Sequence, residues 1–292
     1  MEIRVLKYFL EVAREENITR AAEKLHISQP SLSRQLKDLE YELGKKLFKR
    51  GNYNIKLTDE GILLRKRAEE ILGLVDKTTD EFKTLDKVTG GHIVIGCGES
   101  YLMKYVARVI KSFKEEYPDF TYTLVSGTTD IVTEKLDSGH FDLGILCETP
   151  NLSRYNYLEL PEKDTWGLLV RKDHPLAKKK FIVVEDILNE ELLCPEQCIK
   201  ADIPRWCGDL TDSLHFTGYT TLCYNPSIFV KEGLGCYLVF DKLVNTGPDS
   251  DLVFIPLYPK LENRMFIIWK KYQVFTPIAE LFVEKLVEML RN

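Results

Sequence analysis

Three amphipathic stretches open the chain in quick succession. Residues 3–14 set Leu6, Phe9, Leu10 and Ala13 on one helical face. Thr19 is placed to cap a second, short helix carrying Ala21, Ala22 and Leu25, whose small residues admit a close neighbour. Ser28 then caps a third helix, with Pro30 in its first turn, where a missing N–H costs little. Leu32, Leu36, Leu39 and Leu43 form its core stripe at spacings of 4, 3 and 4, and Gly44 ends it. After Gly44, Leu47, Phe48, Tyr53, Ile55 and Leu57 are interleaved with cations, as in a β-wing.

The next segment changes period. Residues 58–87 contain no proline, and Leu64, Ala68, Ile71, Val75, Thr78, Phe82 and Leu85 follow at alternating spacings of four and three. A sustained 3.5-residue repeat is the seam of a coiled coil, so this long helix is expected to dimerise through Leu64, Ala68, Ile71, Val75, Phe82 and Leu85. Thr78 is the polar exception, and packing of the helix on its own domain is the alternative. Gly90-Gly91 then breaks the helix. Strands are expected at 92–98, 120–127 and 141–147, with helices at 100–117 and 128–138 between them. This is the pattern of a parallel sheet covered by helices. A similar run follows: strands at 166–170, 191–194 and 214–220, helices near 184–188 and 226–232, and a glycine-rich return at 232–240. A strand at 263–272 and a helix at 276–291 close the chain.

Length and composition narrow the class. The 292 residues suit two or three folding units, and with 44% apolar and 29% charged residues they exclude a disordered chain. No stretch approaches the ~18 apolar residues of a membrane span. Charges interrupt the first apolar run, unlike a signal peptide. The seven cysteines are therefore expected to be thiols in the cytoplasm.

The net charge of −5 is uneven. Residues 1–60 hold 12 Lys/Arg against 10 Asp/Glu, a balance of +2, which leaves −7 for the remainder. Lys45, Lys46, Lys49, Arg50 and Lys56 lie within residues 43–57, which contain no acid. A local basic strip on an acidic protein matches a nucleic-acid contact, since each neutralised phosphate releases counterions. On helix three, the face opposite the leucines carries Pro30, Arg34 and Lys37, with Gln29, Ser31 and Ser33 near its start. Gln pairs bidentately with adenine, Arg with guanine, and Ser with base or phosphate. Three helices and a wing predict a winged helix-turn-helix. Thr19, Ser28, Gln29, Pro30, Ser31, Ser33, Arg34 and Lys37 are its expected DNA-facing residues, and Lys45, Lys46, Lys49 and Arg50 serve the backbone or minor groove. Two-fold pairing would make the operator an inverted repeat of double-stranded DNA.

Residues 19–50, TRAAEKLHISQPSLSRQLKDLEYELGKKLFKR, resemble the helix-turn-helix signature of LysR-type transcriptional regulators. The match runs through Ala21-Ala22, Leu25, Ser28-Gln29-Pro30, Ser33-Arg34, Leu39-Glu40, Leu43-Gly44 and Leu47-Phe48-Lys49-Arg50. The resemblance implies a multidomain chain: a winged helix-turn-helix over 1–58, a linker helix over 59–89, and a two-lobed α/β domain, similar to periplasmic binding proteins, over 90–292. Lobe I would be 91–161 with 267–292 and lobe II 162–266, joined near 160–165 and 265–269. It also implies tetramers beside dimers, and a small-molecule effector held between the lobes.

In open α/β sheets ligands lie beyond the carboxyl ends of strands, where helix N-termini offer unpaired N–H groups. The candidate effector residues at such turns are Ser100, Tyr101, Thr128, Thr129, Glu148, Gln197 and Asn225. For Ser100 and Thr128 plain helix capping is the competing role. Two helix N-termini make a small carboxylate the default effector, against which Glu99 argues if it points inward. Cys198 and Cys207, nine residues apart, are similar in spacing to the cysteines of the peroxide-sensing branch of the family. Lys200 and Arg205 are placed to lower a thiol pKa, so a redox-sensing regulator is the alternative. Zinc ligation by Cys194, Cys198, Cys207 and His215 lacks a known spacing, and no P-loop, dinucleotide or nucleophile-elbow motif appears. No metal, no cofactor and no enzymatic activity are therefore expected; the remaining class is an enzyme with an accessory DNA-binding module.

Overall fold

The computed structural model describes residues 1–50, 55–83, 89–151 and 153–291; for Arg50, Lys77 and residues 80–83 it describes the backbone alone. The chain forms two compact units, Met1–Leu85 and Asp86–Asn292.

The first unit is built from α1 (Ile3–Glu15), α2 (Ile18–Lys24), α3 (Gln29–Leu43), the hairpin β1 (Phe48–Arg50) and β2 (Ile55–Leu57), and α4 (Asp59–Lys83). Leu6, Phe9, Val12, Ala21, Ala22, Leu32, Leu36, Leu39 and Leu47 form its core. Ala21 and Ala22 are essentially inaccessible, as close helix packing requires. The cap of α2 is Asn17, not Thr19: the Asn17 carboxamide oxygen accepts from the backbone N–H of Thr19 and of Arg20, at 2.9 and 3.1 Å. Ser28 caps α3, accepting from the Ser31 N–H, and Gly44 closes it in the left-handed region at φ 65°. Leu43, expected in the stripe, is exposed because the helix ends before that turn meets the core.

The coiled-coil reading of α4 needs correction. Leu64 and Ala68 turn inward and pack with Leu72 on the core of the first unit. Gly61 lets this helix start against the wing: a Cβ there would lie 2.2 Å from the Leu47 carbonyl oxygen. The apolar residues that α4 exposes are Ile62, Leu63, Ile71 and Leu74; Val75 is half-buried and Thr78 exposed. The side chain of Phe82 lies outside the described residues, as do Leu85 and, on the wing, Tyr53.

The second unit contains β3 (Gly90–Cys97), α5 (Met103–Glu116), β4 (Asp119–Ser126), α6 (Thr129–Asp137), β5 (Leu143–Leu146), β6 (Tyr155–Arg171), β7 (Glu191–Pro195), α7 (Glu196–Ala201), α8 (Ile203–Cys207), β8 (His215–Thr220), α9 (Tyr224–Lys231), β9 (Cys236–Phe240), β10 (Leu252–Pro256), β11 (Glu262–Lys270) and α10 (Pro277–Arg291). The strand order is β4-β3-β5-β11-β6-β9-β7-β8, with β10 also on β6. Parallel trios (β4-β3-β5 and β8-β7-β9) flank the antiparallel strands β6 and β11, so the sheet is mixed rather than parallel. Gly90 and Gly91 belong to the first strand rather than to a break before it.

Two cores make this unit two-lobed. One gathers Ile93, Phe113, Phe120, Ile145, Ile267 and Phe282; its three phenylalanine rings meet at 4.8, 5.2 and 5.4 Å. The other gathers Trp166, Leu168, Leu192, Trp206, Leu238 and Ile255. The seventeen-residue β6 runs through both: residues 155–159 and 163–165 pair with β11, while residues 166–171 pair with β9 and β10. Between the two stretches paired with β11 the register slips around Met265, near Pro161. A proline, with no N–H to donate, is tolerated at such an irregularity.

Candidate functional site

In the first unit α3 separates its faces cleanly. Leu32, Leu36 and Leu39 are buried, whereas Gln29, Pro30, Ser31, Arg34 and Lys37 are exposed. Arg34 and Lys37 have no ion-pair partner among the described residues, so their donors are free for another molecule. Ser33 and Lys37 line a groove of about 350 Å³ between α3 and the wing, together with Glu40, Lys46 and Phe48. Glu40 ties this groove together. Its carboxylate accepts from Lys46 Nζ at 2.7 Å and from the backbone N–H of Leu47 at 2.9 Å and of Phe48 at 3.4 Å. Burial works to raise its pKa, but these donors outweigh it and leave it below the ordinary value.

Lys46 is thus already paired, which sets it apart from its neighbours. Lys45 and Lys49 are exposed and lie near Glu60. The Glu60 carboxyl is lowered first by its own N–H at the start of α4, then by Thr58 and these two lysines. Thr19 is exposed beside its Asn17 cap, and Ser28 is exposed at its capping position. The side chain of Arg50 lies outside the described residues.

In the second unit the expected effector residues part company. Ser100 is buried and is not a helix cap, because α5 starts only at Met103. Its hydroxyl donates to Asp164 Oδ2 at 2.7 Å and accepts from the Leu102 N–H at 2.9 Å. Tyr101 is exposed, its ring 5.0 Å from Lys104 Nζ and 5.2 Å from Lys242 Nζ. Thr128 caps α6 through the Ile131 N–H. Asn225 lines a different cavity, about 570 Å³, between β8 and α9, which has Thr221 in common with the cavity between the lobes. Only Glu148 and Gln197 line the cavity between the lobes. Thr129 reaches it through its N–H, which donates to Gln197 Oε1 at 3.1 Å.

The groups missed by spacing are Asp202, Trp166, Cys147, Cys223 and Tyr237, which line the same cavity with Glu99 and Cys198. Glu99 does point inward: its Oε2 accepts from the Cys223 N–H at 2.5 Å, across the lobes. Asp202 Oδ1 accepts from Arg205 at 2.9 Å and from Asn263 at 2.7 Å. No spacing marks these positions; Cys198 and Cys223 are two of the five cysteines between 194 and 236.

Residues 3–62 match the family described as "Bacterial regulatory helix-turn-helix protein, lysR family", and residues 87–291 match "LysR substrate binding domain". The chain belongs to the LysR family of transcriptional regulators. It is 27% identical to an uncharacterized HTH-type transcriptional regulator of Bacillus subtilis, YybE, over 98% of each chain. It is 33% identical to the regulator BenM of Acinetobacter baylyi over 66% of this chain and 64% of that one. The crystal structure of CbnR, a LysR family regulator, superposes with a TM-score of 0.76 at 22% identity over the whole of both chains, a likeness of fold alone. This LysR-type regulator therefore joins a DNA-binding domain to an effector-binding domain.

The thiols of the regulator are all free, and all but the half-buried Cys147 are buried. Burial, with Cys194 and Asp202 adding, pushes Cys198 well up, so Lys200 and Arg205 do not activate it. Lys200 is exposed and Arg205 is engaged by Asp202, Asn263 and the Glu262 carbonyl. The Cys207 Sγ lies 3.1 Å from the Ile203 carbonyl oxygen. These surroundings are the reverse of an electropositive sensor site. Among the described residues the cluster with metal-ligand spacing is His174, Glu190 and Cys236, not the four positions considered from sequence. There His174 Nδ1 accepts from the Leu176 N–H at 3.3 Å. In the neutral ring this leaves the proton on Nε2, which faces Glu190 and Cys236, so no lone pair is presented to a metal.

Proposed function

We propose that two copies of this chain pair and set their α3 helices into successive major grooves of an inverted-repeat operator. The carrying observation is the exposed, unpaired first half of α3. Gln29, Ser31, Ser33 and Arg34 read base edges and nearby phosphates, with Thr19, Ser28 and Pro30 at the same end of the motif. Lys37, Lys45, Lys49 and Arg50 serve the phosphate backbone; Lys46, balanced by Glu40, contributes least. Selection of bound fragments from random-sequence DNA by the purified chain tests this, and an inverted repeat is the expected result. Equal recovery of all sequences would refute it.

Pairing uses the outward face of α4, where Ile71, Leu74 and Thr78 stand three and four residues apart, with Val75 at its edge. A chain with Ile71→Asp and Leu74→Asp is expected to sediment as a smaller species than the wild type, whether the parent is a dimer or a tetramer. An unchanged sedimentation coefficient would remove this seam. The chain acts as a regulator rather than an enzyme, in the cytoplasm. The regulator names of its relatives support this, and no helix among the described residues is long and apolar enough to cross a membrane. The effector occupies the cavity between lobes I and II. A ligand that favours the closed lobes shifts the population of lobe arrangements and, with it, operator binding.

A further inference from the structure

The cavity between the lobes is small, about 50 Å³. That is room for a few solvent-sized atoms rather than a large ligand. Its charged lining has one sign. Glu99, Glu148 and Asp202 supply carboxylates, Cys147, Cys198 and Cys223 supply thiols, and no Lys, Arg or His is among the described residues that line it. Burial acts first on its members, and the shared negative charge adds to it. Burial raises Glu148, with Asp202 and Asp130 adding to the effect, and burial raises Cys147, with Asp164, Asp202 and Glu148 adding.

At two helix starts that would draw an anion, one N–H is already taken by a side chain of the opposite lobe. Glu99 of lobe I takes the Cys223 N–H at the start of α9, and Gln197 of lobe II takes the Thr129 N–H at the start of α6. What stays open is of the other kind. Asp202 is 2% exposed, and its Oδ2 accepts no hydrogen bond, although the Cys198 thiol lies close by. The indole N–H of Trp166, 1% exposed, donates to nothing. A buried polar group without a partner is rare, and here the residues that carry one such acceptor and one such donor both line the same acid-lined space.

We propose that this cavity selects a small organic cation, a primary ammonium compound with one uncharged oxygen, such as an amino alcohol or amino amide, and not a carboxylate. The ammonium donates to Asp202 Oδ2 and offsets Glu148, and the oxygen accepts from Trp166 Nε1–H. No bound metal is invoked, because the carboxylates and thiols of the cavity do not converge at metal-ligand spacing among the described residues.

The proposal rests on the reading of this cavity as the effector site, and calorimetric titration of the full-length protein separates the two. The probes are ethanolamine and glycinamide, with glycolate as a size-matched anion and Zn²⁺ as a metal arm. Binding of either amine, but not of glycolate, is expected. Asp202→Asn should weaken it at least tenfold and Trp166→Phe severalfold. Because Asp202 also holds Arg205 and Asn263, Glu148→Gln is the second variant; it should weaken the amines severalfold while leaving glycolate no better than a weak ligand. Operator binding by each variant checks that it is folded. Glycolate binding in preference to both amines, or Zn²⁺ binding lost in Asp202→Asn with no amine bound, overturns the cation assignment and leaves the effector site standing. Failure of all four probes overturns the assignment. If ligands that do bind are unaffected by Asp202→Asn, Trp166→Phe and Glu148→Gln alike, the location of the effector site falls with it.

Discussion

The reading helix and the interlobe cavity present function in opposite ways. On α3 the working residues lie within nine positions of one another, and they face outward because the leucines between them face in. In the cavity Glu99, Glu148, Trp166, Gln197, Asp202 and Cys223 come from turns, a strand and the short helix α7, drawn from both lobes. Donors on α3 are left free and in water, where an exposed cation costs little. Cavity groups are withdrawn from water, so every unmatched charge or hydrogen bond there carries an energy penalty. A surface site can thus be specified by a periodic pattern alone, whereas a buried site also needs its neighbours.

The largest expected effect bears on the buried side of this contrast. Asp164, 5% exposed beneath Ser100, is pushed up to about 6 from 3.8. Burial is the main cause, with Asp241 and Glu162 adding and the Ser100 hydroxyl opposing. A raised acid holds its proton more tightly folded than unfolded. The second unit therefore loses stability as pH rises from about 4 through about 6, by up to about 3 kcal/mol, and regains it on acidification. Urea unfolding of wild type and Asp164→Asn across this window should show a flatter pH dependence in the variant. Identical slopes would mean that the acid is not desolvated.

Next in size is the exposed side. Arg34→Ala is expected to cost ~1–3 kcal/mol on the selected operator and to relax sequence preference. Lys49→Ala should weaken all sequences alike and flatten the salt dependence by about one. Equal losses on selected and random DNA for Arg34→Ala would make it a phosphate contact and blur the division drawn along α3.

The smallest effect sharpens the link between the lobes. Gln197→Ala removes the acceptor of the Thr129 N–H, a loss of about 0.5–1.5 kcal/mol. Hydrogen exchange at Thr129 should quicken in that variant while exchange at Phe113, in the lobe I core, stays as it was. No change at Thr129 would show that water replaces the side chain without cost.

Where sequence and structure part, the reasons are specific. The α3 stripe was legible because burial of leucines at helical spacing leaves a single choice of outward face. Residues Leu64 and Ala68 satisfied the same logic for a dimer seam, yet they pack on their own domain. A heptad pattern says that a face is covered and not by what. Ser100 and Thr128 sit at strand ends as expected, but capping and the Asp164 bond use their hydroxyls. The pattern shows only the second half of strand β6, because its first half mixes charges with Pro161 and is held by β11, a pairing across more than a hundred residues. Residues 196–207, in which the sequence marks Gln197, Cys198 and Cys207, form two short helices that bring Cys198 and Asp202 to the cavity.

From sequence alone came the winged helix-turn-helix, the outward face of α3, the α/β character of the remainder and the family. Each rests on local periodicity or contiguous motifs, which short-range sterics and burial translate directly into elements. Tertiary structure alone decided which face of α4 is free, that the sheet is mixed, and that the interlobe cavity is acidic, with a side chain of each lobe on a helix start of the other. Those outcomes depend on contacts between segments far apart in the chain, where desolvation and partner geometry, rather than spacing, determine what a side chain does.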